Sequence, residues 1–313
     1  MGVTVKQWSG KEVRALREAR RMSIREFAAH LGVSDRMVSK WESGGERIRP
    51  RPINQAALDT SLLRTGPEIQ ARFAQFVSPE ILTESVSADD PSAICLRHGR
   101  DGKLMTLVSG GVFLSGADDQ PAWQESFWID VYPTTNADYM RYVRATNFQP
   151  PEHWNADKPP REIANHPVVF VSWEDASSYA EWAGKTMPTA QQWEKAARGT
   201  SGGVYPWGDQ PTPAKCNVRG SGPGSTTPVD RYHSGVSQYG VYDLCGNVWE
   251  WCSTRTTANR YELKGSAFTS PFDRVKPSSF NDADASMRDD DTGFRCAATD
   301  PPNWALASPD DDS

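Results

Sequence analysis

One short run constrains the fold of this chain most: Gly240-Val-Tyr-Asp-Leu-Cys-Gly-Asn-Val-Trp-Glu-Trp251, answered later by Gly293-Phe-Arg-Cys296. Its glycines break the backbone, so Asp243 and Glu250 come one short turn apart with main-chain carbonyls between them. Hard cations prefer carboxylate and carbonyl oxygens offered by a bent backbone. The spacing alone leaves two alternatives open: a cation site, or core tryptophans beside solvated acids.

Further motifs occur in a fixed order around this run. They are Leu107–Gly116, Phe127–Asn136, His166–Ala176, Met187–Gly199 and Tyr205–Gly208. Together with Gly240–Trp251 and Gly293–Cys296, these motifs resemble the formylglycine-generating enzyme (sulfatase-modifying factor) family. The resemblance covers roughly residues 101 to 298. It implies a loop-rich domain with a variant of the C-type lectin fold, and so a protein of the α+β class.

The resemblance does not extend to the catalytic cysteines. In that family a pair of cysteines, upstream of the closing Gly-Phe-Arg-Cys, binds copper and activates oxygen. The matching positions here are Phe272 and Pro277, and residues 253–295 contain no cysteine. Copper(I) selects soft thiolate ligands. Iron-dependent sulfoxide synthases of the same fold need a histidine cluster, which the five scattered histidines here do not form. We therefore expect neither copper nor iron and favour a protein that is not an enzyme. An oxidoreductase with a relocated metal site remains the alternative.

Calcium is the cofactor that the resemblance still implies, in a structural role. One family site maps onto Asp243, Gly246, Val248 and Glu250, with both acids present. A second site begins at Asn217 and Val218, but its later acidic ligand is replaced by Ser221. We expect the first site to bind calcium and the second to be degraded.

The segment that lines the family's substrate groove departs most from the family pattern. Aromatic anchors mixed with polar groups are typical of binding surfaces. The candidate ligand-binding residues are Phe268, Thr269, Ser270, Phe272, Asp273, Lys276, Phe280, Asn281, Asp282 and Asp284. They predict a site for an unknown small-molecule or protein ligand. Two alternatives stay open: drift of an unused groove, and the variable surface of a diversity-generating retroelement protein.

The first part of the chain has the opposite charge from the rest. Residues 1–64 hold 13 Lys and Arg against 7 Asp and Glu, a net charge of +6 within a chain of net charge −6. Helical spacing of apolar residues begins at Gly10, and Ser23 with Glu26 forms a capping box that starts a second helix. Gly32 supplies a turn, and Ser34 caps a third helix. This order of elements is typical of a helix-turn-helix, whose second helix enters the DNA major groove.

The stretch Ser23–Gly44 resembles the lambda-repressor-like helix-turn-helix family. By that resemblance, double-stranded DNA is the partner, and the residues that face bases or phosphates are Arg25, Ser34, Asp35, Arg36, Ser39 and Lys40. The inward positions of the third helix are predicted to be Met37, Val38 and Trp41. A helical module retained for protein contacts is the alternative.

The predicted organisation is an all-α head (1–77), a linker (78–100), the lectin-like domain (101–299) and a disordered acidic tail (300–313). Five scattered cysteines and the absence of a long apolar run predict a reduced, cytoplasmic protein without a membrane partner. We expect a transcriptional regulator whose lectin-like domain senses a ligand. Lambda-repressor-like heads usually act in pairs, so a homodimer is one expected state.

Overall fold

A computed structural model of the protein describes residues 5, 7–65, 69–70, 73, 76–77 and 95–299. The chain divides into two compact units between Cys95 and Leu96. The first is helical and the second is built around sheets, so the predicted α+β class is confirmed. Most of the predicted linker and the whole predicted tail lie outside the described residues. No helix among the described residues is long and apolar enough to cross a bilayer.

Four helices of the first unit are described over their whole length: α1 (Gly10–Ala19), α2 (Ile24–Leu31), α3 (Asp35–Gly44) and α4 (Pro52–Leu63). The predicted capping box of Ser23 and Glu26 starts α2, and a second one, of Ser9 and Glu12, starts α1. Such boxes satisfy backbone N–H groups that have no partner inside the helix. Gly32 ends α2 in the left-handed conformation, with φ of 67°, which turns the chain towards α3.

The core of the first unit explains how α3 is oriented. Val38 and Trp41 are buried with residues of α1, α2 and α4, as predicted. Met37, however, is 40% exposed, so its predicted inward position is wrong. Met37 lies one helical turn before the buried Trp41, so it borders the buried side of α3, but in the first turn of the helix its side chain is only partly covered.

The described residues contain ten strands, of which β1 starts at the boundary between the units and the others lie in the second unit: β1 (Cys95–Arg97), β2 (Leu104–Val108), β3 (Gly111–Ser115), β4 (Gln120–Gln124), β5 (Phe127–Asp130), β6 (Trp249–Thr257), β7 (Arg260–Lys264), β8 (Asn281–Asp284), β9 (Thr292–Gly293) and β10 (Ala297–Ala298). One sheet has the order β1-β2-β5-β10, another has the order β8-β7-β6-β9, and β3 pairs with β4 in a hairpin. β1 falls inside the predicted linker, so the sheet starts before residue 101.

Three helices complete this unit: α5 (Asn136–Thr146), α6 (Trp173–Ala183) and α7 (Ala190–Arg198). Each begins with a capping box, at Thr135, Ser172 and Thr189 respectively. Helices α5 and α6 share an aromatic core with Trp251 of β6 and Phe294, which follows β9. Helix α7 packs through Trp193 against the other side of the sheet. The loop from 240 to 249 therefore leads into the central strand β6 between two packed layers.

Candidate functional site

The exposed face of α3 carries the predicted DNA-reading residues. Ser34 precedes α3, and its hydroxyl accepts a hydrogen bond from the Met37 amide at 3.2 Å, which fixes the first turn. Each predicted residue is exposed: Arg25 on α2, then Ser34, Asp35, Arg36, Ser39 and Lys40 on or beside α3. All six side chains are therefore accessible to a partner. Whether they bind DNA remains a prediction.

A second basic feature follows α3 and was not predicted from the sequence. Arg47, Arg49 and Arg51 are exposed, whereas Ile48 is half-buried and Pro50 is buried between them. Ile48 and Arg51 have extended backbone, in which alternate residues point to the same side. The three arginines therefore extend the positive surface of the head. Their alternation around a proline was the signal available in the sequence.

The turn from Asp243 to Glu250 is held by main-chain contacts to two distant loops. The Gly246 amide donates to the Gly265 carbonyl at 2.7 Å, and the Asn247 amide donates to the Asn217 carbonyl at 2.8 Å. Gly246 has φ of 79°, and a side chain there would collide with the Asn217 carbonyl. The structure therefore brings the two predicted metal-binding segments, at 217–218 and 243–250, next to each other.

Glu250 is fully buried, and both of its carboxylate oxygens already have partners. Arg295 donates to them from Nε and Nη2, each at 2.6 Å, and the Trp193 indole donates to Oε2 at 2.8 Å. The same guanidinium reaches the carbonyls of Tyr242 and Asp130. A calcium ion would have to share Glu250 with a cation already in place. Arg295 lies in the motif singled out above, but its pairing was not predicted.

Asp243 fits a cation site better. It is buried in the left-handed conformation with φ of 54°, and its Oδ2 accepts a hydrogen bond from the Asn247 side chain at 2.8 Å. The pKa of Asp243 is raised to about 8, mainly by burial and in smaller part by the nearby charge of Glu250, against the lowering effects of the Asn247 hydrogen bond and the Arg295 charge. A buried acid in this state would be stabilised as a carboxylate by a bound cation. The Gly246 and Val248 carbonyls lie on the same turn.

Only one atom of the second predicted metal site is placed so that it could bind a cation. Asn217 Oδ1 is buried and accepts no hydrogen bond from the described residues, so it could serve as a ligand. The Val218 carbonyl, in contrast, accepts from the Ser221 and Gly222 amides at 3.1 and 3.0 Å. Gly222 also packs tightly on Asn217 Oδ1, where a cation would sit. The degradation of the second site stays a prediction.

The predicted ligand-binding residues divide into two groups. The first, from Phe268 to Lys276, packs near the Asp243–Glu250 turn, since the Phe268 amide donates to the Asn247 carbonyl. Within it, Ser270 is buried and its hydroxyl accepts from the Ala267 amide, and Thr269 donates to Asp291 at 2.5 Å. These two side chains are therefore occupied. Phe268 and Phe272 are half-buried, and Asp273 and Lys276 are exposed.

The second group lies on the edge strand β8. Asn281 pairs with Leu263 and Asp284 with Arg260, so β8 runs away from the first group towards the β6–β7 turn. Asp282 accepts two hydrogen bonds from the Arg260 guanidinium, at 3.0 Å each, and Asp284 accepts from the Asn259 side chain. Phe280, just before β8, is 61% exposed. Phe280 and Asn281 are the members of the second group nearest in sequence to the first.

No thiol stands where the related enzymes have their cysteine pair. The Phe272 ring stacks on Tyr205 with centroids 5.4 Å apart, and Pro277 is buried. All five cysteines are buried. Burial raises the pKa of the Cys216 thiol to about 12 and that of Cys245, Cys252 and Cys296 well above the ordinary value. These four thiols resist the ionisation that metal binding requires.

Comparison with known proteins agrees with this architecture. A family model described as "Sulfatase-modifying factor enzyme 1-like domain" matches residues 95–300. The chain belongs to this family. Its sulfatase-modifying-factor domain is preceded by a match to a "Helix-turn-helix" model at residues 13–54, which covers α2, α3 and the start of α4. Both recognitions made from the sequence are thereby confirmed, and the helix-turn-helix match suggests DNA binding.

Relatives of the sulfatase-modifying-factor domain include one protein named as an inactive enzyme and one named as a formylglycine-generating enzyme. The mouse "Inactive C-alpha-formylglycine-generating enzyme 2" is 31% identical over 65% of this chain and 88% of its own length. The "Formylglycine-generating enzyme" of Thermomonospora curvata is 31% identical over 56% and 77%. Among solved structures, PvdO from Pseudomonas aeruginosa has a TM-score of 0.56 at 23% identity, over 66% of this chain and 97% of that one. This last likeness establishes the fold alone.

Proposed function

We propose that this protein is a cytoplasmic, DNA-binding transcriptional regulator whose sulfatase-modifying-factor domain is a non-catalytic ligand sensor. The observation that carries the proposal is the exposed α3, presented by a helix-turn-helix core on the same chain as a domain without the paired cysteines. Two copies would bind two half-sites about 34 Å apart, as helix-turn-helix proteins do.

The DNA-reading part rests on charge and exposure. Arg36 and Lys40 both lie on the exposed side of α3, and arginine and lysine commonly donate to guanine in the major groove. Arg47, Arg49 and Arg51 would contact phosphates, which position a protein on the duplex without reading its sequence. This division of roles separates residues that determine sequence preference from residues that determine affinity.

Replacement of Arg36 and Lys40 by alanine tests the DNA-reading part. The wild-type protein is first used to select duplexes from a random library. The double variant should bind these duplexes much more weakly, as measured by fluorescence anisotropy. Its far-UV circular dichroism should stay unchanged, because both side chains are exposed. Arg161→Ala with Arg219→Ala, two exposed arginines of the other unit, is the matched control. Undiminished affinity of the α3 variant would contradict this role.

The non-catalytic part rests on the thiols. Copper chemistry of the family type needs two accessible thiolates, and Phe272 and Pro277 cannot supply them. Four buried thiols with raised pKa values are poor substitutes. Purified protein should therefore contain no stoichiometric copper or iron and should consume no oxygen with a cysteine-bearing peptide. Metal-dependent oxidation of that peptide would favour an oxidoreductase instead.

The sensor part concerns the surface formed by Phe268, Phe272, Asp273, Lys276 and Phe280. It mixes aromatic rings with exposed charges of both signs, which suits an amphipathic ligand. A small-molecule extract of the host cell should shift the affinity of the wild-type protein for its selected duplex. Asp273→Ala with Lys276→Ala should abolish the shift and leave basal DNA affinity intact. A shift that persists in this variant would place the ligand elsewhere.

Calcium is the proposed structural cofactor, held by Asp243 with the Gly246 and Val248 carbonyls and shared with Glu250. The bound ion would supply the positive charge that balances the buried Asp243 carboxylate. Millimolar calcium should raise the Tm of the wild-type protein, because an ion that binds only the folded state stabilises it by mass action. Asp243→Asn should remove this increase, and Asp118→Asn, at an exposed position, should retain it. Equal Tm values with and without calcium would exclude the site.

A further inference from the structure

Met37 is an apolar side chain on the surface proposed to read DNA. It is 40% exposed, whereas Val38 and Trp41 of the same helix are buried. Its amide donates to the capping Ser34 hydroxyl, so it belongs to the first turn of α3. It also lies three residues before the exposed Lys40 and four before the buried Trp41, so it borders the exposed side of the helix. Met37 therefore stands among the polar side chains that would face the base edges.

The direction of the side chain strengthens this placement. Long side chains on a helix lean towards its N-terminus, because the other rotamer would collide with the preceding turn. The N-terminal residues of a recognition helix are those that contact base edges. A thioether has no hydrogen-bond donor and is only a weak acceptor, so it cannot read the polar pattern of guanine, cytosine or adenine. The one apolar group in the major groove is the 5-methyl group of thymine.

We infer that Met37 packs on the 5-methyl group of a thymine, so that the preferred DNA site of this protein carries thymine opposite the first turn of α3. The inference rests on the proposed DNA-binding function and names the base at one position of that site. Methionine suits the role because its unbranched, polarisable side chain adapts to the shape of the groove.

Single-atom changes in the DNA test the inference. In the duplex selected by the wild-type protein, each thymine is replaced in turn by deoxyuridine, which differs only by the missing methyl group. At one thymine of each half-site the wild-type affinity should fall about fourfold, the worth of one buried methyl group. Met37→Ala should bind the thymine and uracil duplexes equally, whereas Met37→Leu should retain most of the preference. The exposed position of Met37 makes both variants compatible with folding.

The outcomes separate the inference from the proposed function. If the wild-type protein selects no duplex, the DNA-binding proposal itself fails. If it binds a selected duplex but Met37→Ala keeps the full response to uracil, the DNA-binding proposal stands and Met37 does not read thymine. Ser43→Ala, at an exposed position near the end of α3 that is not among the predicted DNA-reading residues, is the control and should leave the uracil response unchanged.

Discussion

The Arg295 guanidinium illustrates how one residue can join distant parts of a chain. It is fully buried and hydrogen-bonds Glu250 together with the carbonyls of Asp130, Val131 and Tyr242. Removing one partner of a buried ion pair leaves an uncompensated charge, which costs about 3–5 kcal/mol. We expect Arg295→Leu to lower the free energy of unfolding by this amount, or to prevent folding, as measured by urea denaturation.

An exposed pair provides the comparison for this prediction. Arg260 makes an equally bidentate pair with Asp282, but water screens both groups. Arg260→Leu should therefore change the free energy of unfolding much less than Arg295→Leu does. Similar losses in the two variants would contradict the argument that burial sets the importance of the pair.

At this scale the sequence was informative about motifs and less so about partners. Gly293-Phe-Arg-Cys296 was recognisable, yet nothing in its spacing connected Arg295 to Glu250, because that contact depends on the parallel pairing of β6 with β9. The burial of Met37 was predicted wrongly for a related reason. Apolar character predicts burial only where other parts of the fold cover that position of the helix.

Helices were easier to predict than strands. The start of α2 could be located because the Ser23 and Glu26 side chains accept hydrogen bonds from backbone amides at that end of the helix, and these contacts are local in sequence. Strands β9 and β10 have two residues each, and their pairing depends on partners far away in the sequence. The splitting of the candidate ligand-binding residues between a loop and β8 could not be foreseen for the same reason.

The attachment of α4 to the start of the chain predicts a pH dependence. The Trp8 indole donates to Asp59 of α4 at 2.6 Å. Burial raises the pKa of Asp59 to about 7, although this hydrogen bond lowers it. The folded head therefore favours the protonated acid. Its stability should be greatest below about pH 4, where Asp59 is also protonated in the unfolded chain, and should fall as the pH rises to about 7.

Asp59→Asn tests this dependence, because the amide oxygen can still accept the indole hydrogen bond but has no proton to lose. Urea denaturation followed by far-UV circular dichroism should show a flatter dependence on pH for the helical transition in this variant. Asp35→Asn, an exposed acid on α3, should behave like the wild-type protein. A pH dependence that survives Asp59→Asn would assign it to other groups.

Across the whole molecule, charge is divided between the two units. A chain of net charge −6 carries a head of net charge +6 over residues 1–64, so overall charge would mislead about affinity for DNA. The logarithm of a DNA-binding constant falls with the logarithm of salt concentration by about 0.9 for each phosphate contact. Replacing Arg47, Arg49 and Arg51 by alanine should therefore reduce this slope by up to about 3.

Sequence preference should survive in that triple variant, because phosphate contacts position a protein without specifying bases. Anisotropy titrations over a range of salt concentrations would measure both quantities. Replacement of Arg161, Arg219 and Arg274, exposed arginines of the other unit, is the matched control and should leave the slope unchanged. An unaltered slope in the head variant would remove these arginines from the DNA contact.

The place of Arg295 near the end of its domain also affects how the domain is made. When the chain has been synthesised only as far as β8, two parts are still missing: Arg295, the ion-pair partner of Glu250, and β9, the parallel partner of β6. A shorter product would keep a negative charge trapped between two packed layers. We therefore expect this domain to complete its fold only when its last few residues have been synthesised. The four described helices of the head, each capped or started by a proline, are synthesised much earlier.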